Sequence, residues 1–292
     1  FHSSKKFIME RVTETLGDLY GMHWPYKQHK TSRNQKLLPY HKKLKDAGAC
    51  FGVSGEYERP MWYALNKEEP EYKHSFEYQN WYPSVEFETK NTTTNVGLFE
   101  LTPFSKYEIS GVKAHSELQK LCTASIKEEI GRSTYTQMLN ESGGIEADLT
   151  VIAMGNNVFR IISSAATRTH DKAHILKHLS GDVEFIDITD DLACLGIFGP
   201  KSRKLMSSIS EDDFSNENFS FGNGKYIQIN SKKIWAQRLS FVGELGFELY
   251  IKSKDAEEIY DLIIYEGRNF NLSHCGAHAM DTMRMESGFL HW

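Results

Sequence analysis

The spacing of apolar positions changes along the chain, and each change marks an element. Over 4–19 (SKKFIMERVTETLGDL), Phe7, Ile8, Val12, Leu16 and Leu19 recur at helical spacing and predict an amphipathic helix. A second short helical set spans 40–47. Between them, LYGMHWPYKQHKTSRNQ has no period and reads as an aromatic, basic loop. FGVSGEYERP (51–60) carries two glycines and a proline and reads as a connector, with a domain boundary near Leu65. NKEEPEYKHSFEYQNWYPSVEFE then interleaves rings with charges, the pattern of an irregular arm laid over a core.

After Asn95 the pattern is regular. VGLFEL and KYEISG read as strands around Thr102-Pro103, and VKAHSELQKLCTASI as a helix with Leu118, Leu121 and Cys122 inward. TYTQMLN runs into Gly143-Gly144, and ADLTVIAM with NNVFRIISS predicts a hairpin across Gly155-Asn156-Asn157. A helix over 170–179, strands VEFIDIT and LACLGIFG and a helix from Pro200 follow, then strands KYIQIN, KIWAQRLSFV and FELYI and helices over 255–265 and 275–287. Strands and helices mix without strict βαβ alternation, so the expected fold class is α+β with antiparallel sheets.

Composition narrows the function. The 292 residues carry 34 Lys+Arg against 39 Asp+Glu, a net charge of −5, which argues against a nucleic-acid or membrane-surface partner. At roughly 150 residues per domain the length predicts about two domains. No run approaches the roughly 18 apolar residues of a membrane span. The first residues lack the apolar block of a signal peptide, and both ends read as cuts within a longer polypeptide. A cytoplasmic location, or the mitochondrial matrix in a eukaryote, is expected. Cys50, Cys122, Cys194 and Cys275 lie far apart and form no CxxC, so reduced buried thiols are expected rather than disulfides or a zinc site.

Several strings invite chemistry. His170, His174 and His178 recur at i, i+4, i+8, and His274 with His278 share that spacing; without a carboxylate or cysteine in the motif, both read as exposed polar faces, and no metal is assigned. GPKSRKLM lacks the glycines and the Gly-Lys-Ser/Thr run of a phosphate loop, and no GxGxxG is present. Two strings carry more. In YTQMLNESGGIEADL (135–149), Asp148 opens an apolar strand, either as a rim acid or as an acid aimed into a pocket. In FVGELGFEL (241–249), Glu248 faces opposite to Phe247 and Leu249, toward solvent or into a cavity.

These two strings, followed by GAHAMDTMRMESG (276–288), resemble the folate-binding domain of the glycine-cleavage T-protein family over residues 66–292. Residues 1–65, with LYGMHWPYKQHKTSRNQKLLPYHKKLKDAGACFGVSGEYERPMWY, resemble the small connecting domain between the FAD and folate halves of dimethylglycine and sarcosine dehydrogenases. The resemblance implies a T-protein-like folate domain, truncated at its C-terminal end, behind a small linker domain. It further implies tetrahydrofolate as cofactor, FAD in a domain upstream, and a small-molecule substrate: an iminium or formaldehyde derived from a methylated amine.

Carried over position by position, the resemblance makes Asp148 the acid beside the reactive folate nitrogens and Tyr135 a ring next to it. It makes Glu248 the acid that grips the pterin, places Phe104 and Phe241 in apolar walls, and matches Tyr226 more loosely. Two positions depart from the family: the Asp of its G-[LF]-[FI]-D string is Glu100, and the Arg of its A-R-D string is Met280, which removes a cation expected near the folate. A free-standing aminomethyltransferase and a non-catalytic folate-binding module are the alternatives, and the linker segment disfavours the first.

Overall fold

The computed structural model describes residues 4–66, 68–290 and 292; the start of the N-terminal string, Lys67 of the aromatic arm and His291 lie outside the described residues. Helix α1 (Lys5–Gly17) is capped by Ser4, whose side chain accepts from the Phe7 amide. Its predicted apolar stripe stays uncovered: Ile8, Val12, Leu16 and the following Leu19 are exposed, and the helix buries no residue. Helix α2 (His41–Asp46) buries Leu44. The expected connector is instead a hairpin of β1 (Ala49–Ser54) and β2 (Tyr57–Tyr63), turned at Gly55-Glu56, where both residues have positive φ. The aromatic arm is irregular only to residue 80. Its end, with Pro83 in the first turn, forms α3 (Tyr82–Thr94).

The regular region then delivers β3 (Val96–Glu100), β4 (Ser105–Ser110), α4 (Ala114–Leu121), β5 (Ser133–Leu139), β6 (Ile145–Gly155), β7 (Val158–Ser163), α5 (Arg168–His178) and β8 (Glu184–Asp187). It continues through β9 (Leu192–Phe198), α6 (Ser202–Ile209), β10 (Gly224–Ile229), β11 (Lys232–Gln237), β12 (Gly246–Lys252), α7 (Ala256–Gly267), β13 (Leu272–Cys275) and α8 (Ala277–Glu286). The fold is α+β, as the pattern predicts. Strand β13, which the expected elements cover only at Cys275, runs just ahead of the last helix and pairs parallel with β3, an exception in otherwise antiparallel sheets. A four-residue strand has too little length for periodicity to show.

Two sheets face each other. One has the order β10-β11-β12-β9-β3-β13 and the other β5-β6-β7-β4-β8. Between them lies an apolar layer of Phe99, Leu101, Phe198 and Trp235 from the first sheet and Ile152 and Ile162 from the second. The outer face of the first sheet is covered by Leu205 and Met206 of α6, Ile259 and Ile263 of α7, and Leu38, Tyr40 and Leu44. The outer face of the second packs on Leu118 of α4 and Ile175 of α5. The core therefore runs across residue 65 without a break, and the hairpin is part of the same packed body.

Two junctions fix how the hairpin and the sheets meet. Glu88 of α3 is buried and accepts from the backbone amides of Tyr63, at 2.7 Å, and Gly276, at 2.8 Å, tying the hairpin to the start of α8. A Cβ on Gly276 would stand 2.2 Å from the Met61 carbonyl oxygen, so only glycine permits this approach. No helix among the described residues is long and apolar enough to cross a membrane. The four cysteines are buried and free.

Candidate active site

The space between the two sheets opens into a cleft of about 490 Å³, bordered further by Arg59 and Met61 of β2 and by α8. Its acidic wall is built by the β5–β6 ladder. Tyr135 pairs with Thr150 and Gln137 with Asp148, so Tyr135, Thr150 and Asp148 share one sheet face. Thr150 pairs in turn with Ile162, and Ile162 with Lys106, which extends this face across β7 and β4. Asp148 is half-buried, and its Oδ1 is buried without a hydrogen-bond partner. Burial, and then the neighbouring Asp148 carboxylate, push the Tyr135 hydroxyl up to about 12.

Glu248 comes from the opposite sheet. It pairs with Gln237 on β11 and Gly196 on β9, and Tyr250 with Trp235 and Cys194, so Glu248 and Tyr250 project from one face. The Tyr250 hydroxyl donates to Glu248 Oε2 at 2.7 Å. Burial holds the Glu248 carboxyl above its ordinary range, and the Tyr250 hydrogen bond opposes the shift. The cavity, rather than solvent, is where this acid points.

Phe104 and Phe241 also line the cleft, and Phe241 stacks on Phe289 with ring centroids 6.3 Å apart. Tyr226 does not. It sits half-exposed on β10, edge-on to Trp235 at 4.9 Å and beneath the Lys233 ammonium, away from the cleft residues. Strand β10 is an edge strand, two places from β12, and Tyr226 shares a sheet face with Trp235 and Tyr250 but stands outside the residues that line the cleft. Glu100 is buried just beneath the site, where it accepts from the Thr102 amide at 2.6 Å and from the Tyr40 hydroxyl.

The histidines divide. His170 meets Glu146 at 3.0 Å on the half-exposed side of α5, and His178 contacts the His174 carbonyl at 2.8 Å. His274 and His278 are not an exposed helical face. His274 lies in β13 against the Tyr260 hydroxyl, at 2.6 Å, and buried His278 in α8 against the Tyr72 hydroxyl, at 2.7 Å. Burial lowers both to about 4. Among the described residues no cluster of three or more His, Cys, Asp or Glu is arranged to hold a metal.

Sequence reasoning passed over three cleft residues. Tyr250 was within reach, since the E-L-Y spacing in a strand places it beside Glu248. Lys106 is fully buried and donates to the carbonyls of Thr102 and Phe104, both at 2.8 Å; strand alternation alone marks it as solvated. Arg59 lay in the supposed connector. It reaches the cleft from β2 and contacts Met280, the position where the resemblance had led us to expect a cation.

The sequence profile of the GCVT N-terminal domain matches residues 40–292. The chain belongs to that family. The profile of the FAD dependent oxidoreductase central domain matches residues 1–37, so the two matches are separated only by Leu38 and Pro39, and Leu38 is the first residue of the shared core. The chain is 37% identical over 290 residues to 4-methylaminobutanoate oxidase (formaldehyde-forming) of Paenarthrobacter nicotinovorans, covering 99% of this chain and 35% of that protein. It is 31% identical over 250 residues to mitochondrial dimethylglycine dehydrogenase of Homo sapiens, covering 85% and 29%. This GCVT-family chain thus spans about a third of the length of those relatives. In fold it resembles the crystal structure of glycine cleavage system aminomethyltransferase T from Bartonella henselae, with a TM-score of 0.73 at 24% identity over 88% of this chain and 63% of that one.

Proposed function

We propose that this chain is the folate-dependent one-carbon transfer part of an FAD-dependent N-methyl-amine dehydrogenase of the dimethylglycine/sarcosine type. In this reading a methyl group oxidised elsewhere in the enzyme leaves as an iminium or formaldehyde and is captured on tetrahydrofolate. The observation that carries the reading is the convergence of Asp148 and Glu248, 100 residues apart in sequence, on one cleft. The match of residues 1–37 to an FAD oxidoreductase domain favours this enzyme type over a free-standing aminomethyltransferase. FAD itself belongs, in this reading, to a part of the enzyme outside this chain.

The residues present suit a reduced pteridine. The cleft volume of about 490 Å³ lies within the range of roughly 300–1,000 Å³ usual for small-molecule sites. Leu101, Phe104 and Phe198 give it apolar walls. Asp148 Oδ1 is a buried acceptor that lacks a donor, and a buried unsatisfied carboxylate oxygen is costly unless a ligand supplies one. Bound there, tetrahydrofolate supplies the nitrogens that take up a carbon at the oxidation level of formaldehyde.

This chain's own groups would then bind, orient and move a proton. Glu248 offers two oxygens to the adjacent N–H and amine of a pterin edge, and Tyr250 holds the carboxylate in register through Oε2. Asp148 accepts the proton released from the attacking nitrogen and stabilises positive charge beside it. Calorimetric titration of the chain with 5-formyltetrahydrofolate tests the reading. One saturable site is expected, and an absence of heat at millimolar ligand would overturn it.

A further inference from the structure

Six formally charged side chains line the cleft: Arg59, Lys106, Asp148, Glu248, Asp281 and Arg284. Five have a partner or a task. Arg284 and Asp281 pair with each other at 2.6 Å, Lys106 is held by two carbonyls, and the two acids face the ligand space. Arg59 is left over. Its Nη2 reaches the thioether sulfur of Met280 at 3.8 Å, its Cζ lies over the Phe104 ring at 5.5 Å from the centroid, and its Nε is buried without a partner. No carboxylate forms an ion pair with it among the described residues.

We propose that Arg59 is the carboxylate-binding residue of this cleft. Buried Glu100 is the one carboxylate whose charge acts on it, and both of its oxygens are taken by the Thr102 amide and the Tyr40 hydroxyl. A guanidinium withdrawn from water without a direct ion-pair partner is unfavourable, and its planar fork matches the two oxygens of a carboxylate. Phe104 under Cζ and Met280 Sδ at Nη2 hold the guanidinium in place, so it is positioned before a ligand arrives. The carboxylate has two possible sources: the glutamate end of a folate, which rests on the reading above, or a small amino-acid-type substrate, which does not.

The test compares the wild-type chain with Arg59→Met, which keeps the apolar stem between Phe104 and Met280, and Arg59→Lys, which keeps the charge and loses the fork. Calorimetry uses three probes: 5-formyltetrahydrofolate, 6-methyltetrahydropterin, which has the reduced ring and no carboxylate, and N,N-dimethylglycine. Arg59→Met is expected to lose about tenfold or more in affinity for a carboxylate-bearing probe and none for 6-methyltetrahydropterin, with Arg59→Lys between. Loss confined to 5-formyltetrahydrofolate assigns the carboxylate to folate, and loss confined to dimethylglycine assigns it to the substrate.

Equal affinities of wild type and Arg59→Met for both carboxylate probes overturn the proposal. A wild type that binds neither pterin probe overturns the folate reading and leaves dimethylglycine to decide Arg59; one that binds no probe overturns both. Should Arg59→Met lose its folded circular-dichroism signal, Arg59→Gln and Arg59→Lys are titrated instead, and wild-type affinity in both is then the overturning result.

Discussion

The Tyr250 hydroxyl donates to Glu248 Oε2 at 2.7 Å from two residues further along β12, on the same face of the sheet. Strand alternation sets this neighbourhood: the intervening Leu249 points into the opposite, fully apolar layer, with α6 and α7 behind it. Glu248 is thereby held among apolar groups with one donor to moderate the cost of its charge.

If Glu248 grips a pterin through charge-assisted hydrogen bonds, Glu248→Ala should weaken 5-formyltetrahydrofolate binding by about 1.5–3 kcal/mol. Tyr250→Phe removes the group that opposes the upward shift of the Glu248 carboxyl. Since the gripping form is the anion, affinity should decline on acidification, and the decline should begin at a higher pH in Tyr250→Phe than in wild type. Calorimetry between pH 5 and 8 reads both effects, and superimposable profiles would contradict the role of Tyr250.

Asp148→Asn preserves shape and an acceptor oxygen but cannot take a proton. It is expected to leave 5-formyltetrahydrofolate affinity within about threefold of wild type and to slow methylenetetrahydrofolate formation by about a hundredfold to ten-thousandfold in the complete enzyme. Unchanged turnover would remove Asp148 from the proton transfer.

Gly131 has φ +89°, and a Cβ there would lie 2.0 Å from the Gly224 carbonyl oxygen. Its own carbonyl accepts from Gln237 Nε2 at 3.0 Å, which ties the segment ahead of β5 to β11. Gly131→Ala should therefore destabilise the fold by at least about 1–3 kcal/mol, because backbone must move and cannot yield as a side-chain tip would. A shift of the urea midpoint measures it; an unshifted midpoint would show that the two sheets are not locked here.

His274 and His278 bring a pH signature. Their folded values are lowered to about 4, against about 6.5 for an ordinary histidine, so between those values the unfolded chain binds more protons. Their contribution to stability is thus complete above about pH 6.5 and is lost as pH falls toward 4. The slope of unfolding free energy against pH in this window should be shallower in the His274→Gln, His278→Gln double variant than in wild type. An identical slope in the two proteins would refute the assignment.

The order of elements after Asn95 was legible because these strands are long, half-buried and bounded by turn residues: the Gly155-Asn156-Asn157 hairpin and the Leu192–Phe198 run are where the pattern places them. The hairpin at 49–63 was not, since its glycines and proline look like linker chemistry until pairing supplies the partner strand. Helix α3 hid in the aromatic arm because its buried residues, Ser84, Glu88 and Thr92, are polar and leave no apolar stripe.

By itself the sequence determined the strand alternation that turns Asp148 and Glu248 away from their apolar neighbours, together with the α+β mixture and the family motifs around both acids. Alternation specifies a face but not what lies across from it. Only tertiary structure decided that the faces carrying Asp148 and Glu248 look at each other, that Tyr226 falls on an edge strand outside the cleft lining, and that Arg59 arrives from a hairpin beside Met280. The physical reason is that burial, and the missing partners it leaves on Asp148 and Arg59, are properties of packing between segments far apart in the chain.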